Sequence, residues 1–373
     1  MTTAPAYSLP HSPGLWVLAW RRLRADRLAM ASLAVVVAYL LLIALSGSGL
    51  IAADWDREVG ANYAPPTFVG ASAEAVKSEA ARDDAVPENP LDPLKDILHQ
   101  LREERGDRDL ASAAPVEDYG IVDPIGPELL QLRAELAKEG KGIVAVRSPT
   151  LPFGADKWGH DVIKKTVKGS ETSIVVGLVA AFLATLVGTV LGAFAGYFGG
   201  IVDDFFNWFY SVFTAVPNLL LIMAVAAVLQ HKGVSTIVLI LAITGWTGTF
   251  RLVRAEYIKH KSREYVMAAD AIGATHWRKM FVHIFPNVSH VALVQMSILS
   301  VGFIKYEVIL SFLGFGVPVG VVSWGSMLNE ARNELILGRW WQLAAASIAM
   351  AVLVTAFSLF TDALRDALDP KLK

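Results

Sequence analysis

Six stretches of the chain are long, apolar and nearly free of charge. They cover residues 28–53, 172–202, 205–230, 233–250, 284–304 and 340–361. A helix needs about 20 apolar residues to cross the hydrocarbon core of a bilayer. The pattern therefore predicts an all-α integral membrane protein with six transmembrane helices, of which the fourth is the shortest.

A polar block separates the first two predicted helices. Residues 54–150 hold 20 Asp or Glu and 11 Lys or Arg, whereas only 18% of the whole chain is charged. Asp92-Pro93 can begin one short helix, and leucines at helical spacing predict a second over residues 127–138. The block is predicted to be a large, acidic, partly helical insertion. Whether it recognises a partner or only covers the outer surface stays open.

Basic residues near the helix ends predict the orientation. Four arginines lie at residues 21–27, before the first helix, and seven Lys or Arg lie between the fourth and fifth helices. Cytoplasmic segments carry an excess of Lys and Arg. Both termini are therefore expected in the cytoplasm and residues 54–150 outside. Residues 1–27 are predicted to be a cytoplasmic or interfacial N-terminal segment, in which the apolar residues 15–20 predict a short helix at the interface.

Small residues recur every four positions along the second predicted helix. They are Ala180, Ala184, Gly188, Gly192, Gly196 and Gly200. In lipid, small side chains let two helix backbones approach closely. The stripe therefore predicts a buried helix–helix contact, and Pro217 is expected to kink the third helix.

Composition and motifs exclude several functions. The chain has no Cys and no phosphate-binding, zinc-protease or serine-hydrolase motif, so we expect no enzyme, no metal site and no bound cofactor. A net charge of −2 argues against nucleic acid as a partner. No Asp, Glu, Lys or Arg lies within predicted helices two to six, which argues against ion-coupled transport.

The segment at residues 251–287 carries the most specific pattern. Alanines at 268 and 269 favour a short helix, and Gly273 favours a bend because glycine adopts positive φ. A second short helix is predicted to end before Pro286. Met267, Trp277 and Met280 are expected to be exposed on this projection, which would suit docking into a cleft of a soluble partner. An ordinary amphipathic loop is the alternative.

Glu307 precedes the glycine- and aromatic-rich stretch Phe312-Leu313-Gly314 at the outer end of the fifth helix. Glu307, Phe312 and Gly314 could form an outer gate. The simpler interpretation is that Glu307 caps an exposed helix end or pairs with Lys305, since exposed charge pairs are common.

The segment at 251–287 resembles the EAA loop of binding-protein-dependent ABC importer permeases. Met267-Ala268-Ala269, Gly273 and His283-Ile284-Phe285-Pro286 fall at the spacing of that loop, although Met267 stands where the family has Glu. Residues 153–162, 192–204, 244–254, 307–317, 323–328 and 362–372 are similar to the C-type subunit of dipeptide and oligopeptide permeases. Val319, Gly320 and Val322 depart from it, and residues 54–150 form a larger block than that subunit usually has.

This resemblance implies a type I ABC importer transmembrane fold, with residues 151–373 as the permease core. The chain would form half of a pathway for di- or oligopeptides in a bacterial inner membrane. The implied partners are a second permease subunit, one or two ATPase subunits that hold ATP and Mg, an external binding protein and lipid. The implied ATPase-docking residues are Glu264, Met267, Ala268, Ala269, Gly273, Ala274, His283 and Pro286. An ion-coupled carrier or channel without an ATPase is the alternative.

Overall fold

The computed structural model describes residues 15–70, 147–318 and 320–368. Its regular elements in these ranges are all helices, and β-type pairing there is limited to isolated bridges. The helices are α1 (Leu15–Ala25), α2 (Arg27–Gly47), α3 (Val162–Phe198), α4 (Gly200–Thr214), α5 (Asn218–Leu229), α6 (Val234–Gly245), α7 (Thr247–Lys261), α8 (Glu264–Ala271), α9 (Phe285–Phe312), α10 (Trp324–Ile336) and α11 (Trp341–Leu368), with a π-helix (Arg278–Ile284) leading into α9.

Four helical segments in the described ranges are long and apolar enough to cross a membrane. They are α2, α3, the π-helix with α9, and α11, and the number rises to six if the bent pairs α4–α5 and α6–α7 are each one span. The two halves of the first pair meet at 86° and those of the second at 42°. The bend predicted at Pro217 is present, because this residue caps α5 and ends the run of helical hydrogen bonds.

The sequence-based prediction starts the second helix at residue 172, ten residues after the observed start of α3. Asp161 caps α3, its carboxylate accepting the Ile163 N–H at 2.8 Å. The first turns therefore contain Lys164 and Lys165, which pair at 2.7 Å with Asp54 and Asp156. The sequence-based prediction counted only charge-free runs. It therefore excluded these residues, although their charges are neutralised in the folded protein. With 37 residues, α3 is about 55 Å long.

A close and extended helix–helix contact joins α3 to α7. A Cβ atom added to Gly188, Gly192 or Gly196 would lie 2.6–2.7 Å from a backbone oxygen of α7 or of Trp246, which precedes it. Ala180 and Ala184, earlier on the stripe, are fully buried. Gly200 does not belong to this contact: it begins α4 with φ of 52° and is exposed.

Neighbouring helices brace this pair. On α4, Asp203 accepts two hydrogen bonds from Arg254 of α7, at 2.5 and 2.6 Å. Phe209 and Phe213 pack on the Trp246 ring with centroids 5.4 Å apart. The aromatic packing and the ion pair fix α4 against the α3–α7 core.

The N-terminal helices pack on the C-terminal one. Ala19 and Leu23 of α1 share an apolar cluster with Ala367 and Leu368 of α11. The Tyr39 hydroxyl of α2 donates to the Ala349 carbonyl at 2.9 Å. The short helix predicted at residues 15–20 is therefore present as part of α1, with one face against protein.

Loops at residues 54–70 and 147–161 cover the N-terminal end of α3 and are joined by short bridges such as Glu58 to His160. The Trp341 indole N–H donates to the Ala155 carbonyl at 2.6 Å and ties them to α11. The remainder of the predicted insertion, with its two helices near Asp92 and at 127–138, lies outside the described residues.

Substituting Gly192 with Ala should lower stability by about 1–3 kcal/mol, because the new methyl would overpack the α3–α7 contact. Gly302→Ala is the matched control: Gly302 also lies within a helix, but a Cβ atom added there would have no neighbouring atom within 4 Å. That control should be neutral or slightly stabilising, since Ala favours helix. Thermal unfolding in detergent compares the two variants, and equal midpoints would contradict the assigned contact.

Candidate docking site

The predicted projection is a compact turn over residues 264–286, hereafter the knuckle. The eight-residue helix α8 ends at Ala271, and Gly273 follows with φ of 79°. The Gly273 N–H donates to the Asp270 backbone carbonyl and the Ala274 N–H to the Ala269 carbonyl, which closes the helix end. Glycine is favoured here because side chains rarely adopt this left-handed backbone conformation.

The second half of the knuckle differs from the prediction. Instead of a short helix ending before Pro286, the π-helix continues into α9, with Pro286 in the first turn of α9. The Phe285 N–H reaches back five residues to the Met280 carbonyl. The wider π turn accommodates a proline, which cannot donate a backbone hydrogen bond of its own.

The inner face of the knuckle is anchored on α3 and α7. Val266, Met280 and Ile284 share an apolar cluster with Tyr197 of α3 and Tyr257 of α7. The buried Tyr257 hydroxyl also donates to the Met280 carbonyl at 3.2 Å. The expected exposure of Met280 is therefore wrong: the side chain is an anchor, because the π-helix turns it inward.

Polar contacts hold the two arms of the knuckle together. The Lys279 ammonium pairs with the Asp270 carboxylate, and its hydrogen bond holds the pKa of that carboxyl below the usual value. A second polar contact ties the knuckle to α3, where the Tyr197 hydroxyl lies 2.9 Å from His276 Nδ1. Neither pair is visible in a sequence pattern, because Lys279 meets Asp270 only when the chain turns at Gly273, and Tyr197 lies on a helix distant in the chain.

The outer face of the knuckle is apolar and exposed. Ile272 is 82% exposed, Trp277 63% and Met267 55%. The Trp277 ring stacks on Phe281 at 5.0 Å, so its orientation is fixed although most of its surface is open. An ordered apolar surface on an anchored base can bind a partner with little loss of side-chain freedom.

The eight predicted docking residues divide between the two faces. Those exposed are Glu264, Met267, Ala268, Gly273 and Pro286, whereas Ala269 is buried and Ala274 and His283 are partly buried. Ile272 was missed by the sequence analysis. It caps α8 and stands next to the bend, so an apolar residue directly before the glycine was the available signal.

The candidate gate residues lie at the other end of α9. Glu307 is fully buried and accepts a hydrogen bond from the Ser311 hydroxyl at 2.7 Å. The exposed-cap and Lys305-pair interpretations are therefore wrong, because α9 turns Lys305 outward and Glu307 inward. A buried carboxyl in this helix also weakens the sequence argument that no charge lies at membrane depth. Phe312 ends α9, and Gly314 follows with φ of 87°.

Comparison with known proteins gives two family matches. Residues 188–373 match the model described as the binding-protein-dependent transport system inner membrane component. Residues 14–66 match the N-terminal TM domain of oligopeptide transport permease C. The two matches cover the first predicted helix and most of the region in which the sequence resemblance was found, and they confirm that resemblance.

Individual relatives of this chain are also permease proteins. The chain is 36% identical over 221 residues to the dipeptide transport system permease protein DppC of Bacillus subtilis, covering 59% of this chain and 69% of the relative. It is 37% identical over 221 residues to the oligopeptide permease protein OppC of the same organism, covering 59% and 72%. The glutathione permease protein GsiD of Salmonella typhimurium is 38% identical over 221 residues, with the same coverage of 59% and 72%.

Replacing Gly273 with Val should loosen the knuckle, because a left-handed conformation costs a side chain about 1–2 kcal/mol and β-branching adds to this. Gly273→Asn is the matched control, since Asn tolerates that conformation. Hydrogen–deuterium exchange should show faster exchange at residues 264–286 in the Val variant only. Equal protection in both variants would contradict a required positive φ.

Proposed function

This chain belongs to the family of inner-membrane components of binding-protein-dependent transport systems, and we propose that it forms half of the translocation pathway of an ABC importer for di- or oligopeptides. The knuckle is the observation that carries the mechanism. Its outer face would dock into a cleft of an ATPase subunit, in which ATP and Mg are bound and hydrolysed. This chain acts as a transport subunit, and the energy enters through its partner.

The docking surface is suited to transmit force. Met267, Ile272 and Trp277 would contact the ATPase, while Tyr197 and Tyr257 hold the base of the knuckle to α3 and α7. Because packed interiors are dense and hardly compressible, a displacement of the knuckle moves both helices with it. Closure of the ATPase dimer around ATP would thus tilt the α3–α7 pair and switch the pathway between two openings.

Further partners complete the pathway in this proposal. A second, related permease subunit would supply the other half, and α4 and α5 present apolar residues such as Ile201, Trp208 and Val228 toward it or toward lipid. An external binding protein would deliver the cargo to the end of the bundle opposite the knuckle. The arginine-rich segment at residues 21–27 supports cytoplasmic termini.

The cargo is inferred from the names of relatives. Three permeases that are 36–38% identical to this chain are named for dipeptides, oligopeptides and glutathione. All three ligands are short chains joined by amide bonds. A short peptide is therefore the cargo class that we propose.

A carrier driven by an ion gradient is the second candidate, and the buried Glu307 is the observation that favours it. Ionisable groups at membrane depth often mark ion pathways. An anchored docking knuckle has no role in such a carrier, however. The ABC importer therefore explains more of the described structure.

The decisive variant is Ala268→Trp, which adds a large ring to the exposed face of α8 without touching the anchored face. Co-purification of an ATPase subunit with this chain and ATP-dependent uptake of a labelled dipeptide should both fall at least about tenfold, since a misfit costing 1.4 kcal/mol is tenfold in binding. The matched control Asn333→Trp is exposed on α10, away from the knuckle, and should retain the ATPase.

Two results would overturn the proposal. If Ala268→Trp retained the ATPase and full uptake, the knuckle would not be the docking site. If uptake by the unmodified protein ran without ATP and stopped when the ion gradient collapsed, the carrier would replace the importer.

A further inference from the structure

A buried ionic cluster lies at the end of α3 opposite the knuckle. Lys165 pairs with Asp156 at 2.7 Å and with Glu330 at 2.6 Å. Asp156 also accepts from the His160 ring at 2.9 Å. Lys165 and Tyr197 are 32 residues apart on one helix, so the cluster lies about 48 Å from the base of the knuckle. The proposed docking function does not use these residues.

Glu334 of α10 is the member of this cluster that has no ion-pair partner in the described structure. It is only 2% exposed, and neither carboxylate oxygen accepts a hydrogen bond of ordinary geometry, although the Lys157 backbone N–H faces it. Gln342 of α11 is fully buried nearby and also leaves its side-chain oxygen without a donor. An unpaired buried charge is costly, and such groups usually take up a proton instead.

The charged groups around Glu334 favour the protonated form of its carboxyl. Lys165 on α3 is the buried cation, whereas Asp156 on the preceding loop and Glu330 on α10 are carboxylates. His160 is directed at Asp156, and the Lys157 ammonium lies 3.9 Å from the centre of the Trp158 ring. Burial alone would raise the pKa of Asp156, but Lys165 and the hydrogen bonds from His160 together outweigh it, so the pKa is lowered. The Lys165 ammonium is thus already paired with two other carboxylates, those of Asp156 and Glu330.

We propose that Glu334 is a proton-binding site and that its proton acts as a latch, holding α10 against the 154–161 loop and the start of α3. In the protonated state the cluster has one less buried negative charge, and the O–H supplies a donor among acceptors. On loss of the proton, three carboxylates face Lys165 and α10 loosens. Burial, followed by repulsion from Asp156 and Glu330, raises the pKa of Glu334 to about 7 against the partial relief from Lys165.

A metal ion is a less suitable ligand for this cluster. In the part of the chain that the structure describes, no three His, Asp or Glu side chains are arranged to hold one. A proton, unlike a metal ion, needs neither several ligands nor a cavity. A single carboxyl such as that of Glu334 can bind it.

The sign of the pH dependence follows from the two pKa values. In the unfolded chain Glu334 ionises near 4.5, whereas in the folded protein it keeps its proton to about 7. As the pH rises between these values, the unfolded state loses a proton that the folded state retains, so stability falls. Above about pH 7 both states are ionised and this contribution is constant.

The first test compares the full-length protein with Glu334→Gln, which keeps the shape of a neutral carboxyl. The thermal unfolding midpoint of the unmodified protein is measured relative to that of this variant at each pH. This difference should decrease as the pH rises from about 4.5 to about 7 and should stay constant above that. Asp362→Asn replaces an exposed carboxylate of α11 and should leave the profile of the unmodified protein unchanged. A constant difference across the range would overturn the proposal.

The second test measures whether loss of the proton loosens α10. Hydrogen exchange of the α10 amides, corrected for intrinsic rates, should accelerate in the unmodified protein as the pH passes about 7 and should not respond in Glu334→Gln. Infrared spectra of the unmodified protein should show a buried protonated carboxyl band that disappears over the same range, so the proposal remains testable if the variant does not fold. Absence of that band at pH 6, or control of α10 exchange by Na⁺ or K⁺ at fixed pH, would overturn it.

Discussion

The close approach of α3 and α7 is the constraint on which the other contacts depend. Apolar surface gains nothing from burial when the alternative is lipid, so helices in a membrane associate through short-range packing. Glycines at 188, 192 and 196 bring the two backbones together over three successive turns. Helices α4, α6, α9 and α10 also pack on one or both members of this pair.

Polar chemistry is placed at the two ends of this pair. At one end Lys165 sits in an ionic cluster with α10 and the 154–161 loop. At the other end Tyr197 and Tyr257 hold the knuckle. Since a long helix is stiff and its surroundings are densely packed, α3 forms a rigid connection between the ionic cluster and the knuckle. In the functions proposed above, motion of this helix pair would relate proton binding at one end to ATPase docking at the other.

Sequence reasoning succeeded where a local rule decides the structure. Runs of apolar residues located the helical regions, though not their exact number or bounds. The four-residue spacing of small side chains located the close contact, and Gly273 and Pro217 located a bend and a break. Each depends on backbone sterics or on the composition of one segment. It failed where burial depends on distant residues: Met280 is an anchor, Glu307 is buried, and the charges that begin α3 are neutralised by loops and α10.

The sequence by itself determined the helical membrane class, the family resemblance and the position of the knuckle, because hydropathy, helical periodicity and the freedom of glycine act over a few residues. Only the tertiary structure decided which face of the knuckle is open and which residue of the ionic cluster has no partner. The reason is that burial and charge pairing depend on groups far apart in the chain, such as Lys165 and Glu330, whose separation no local pattern records.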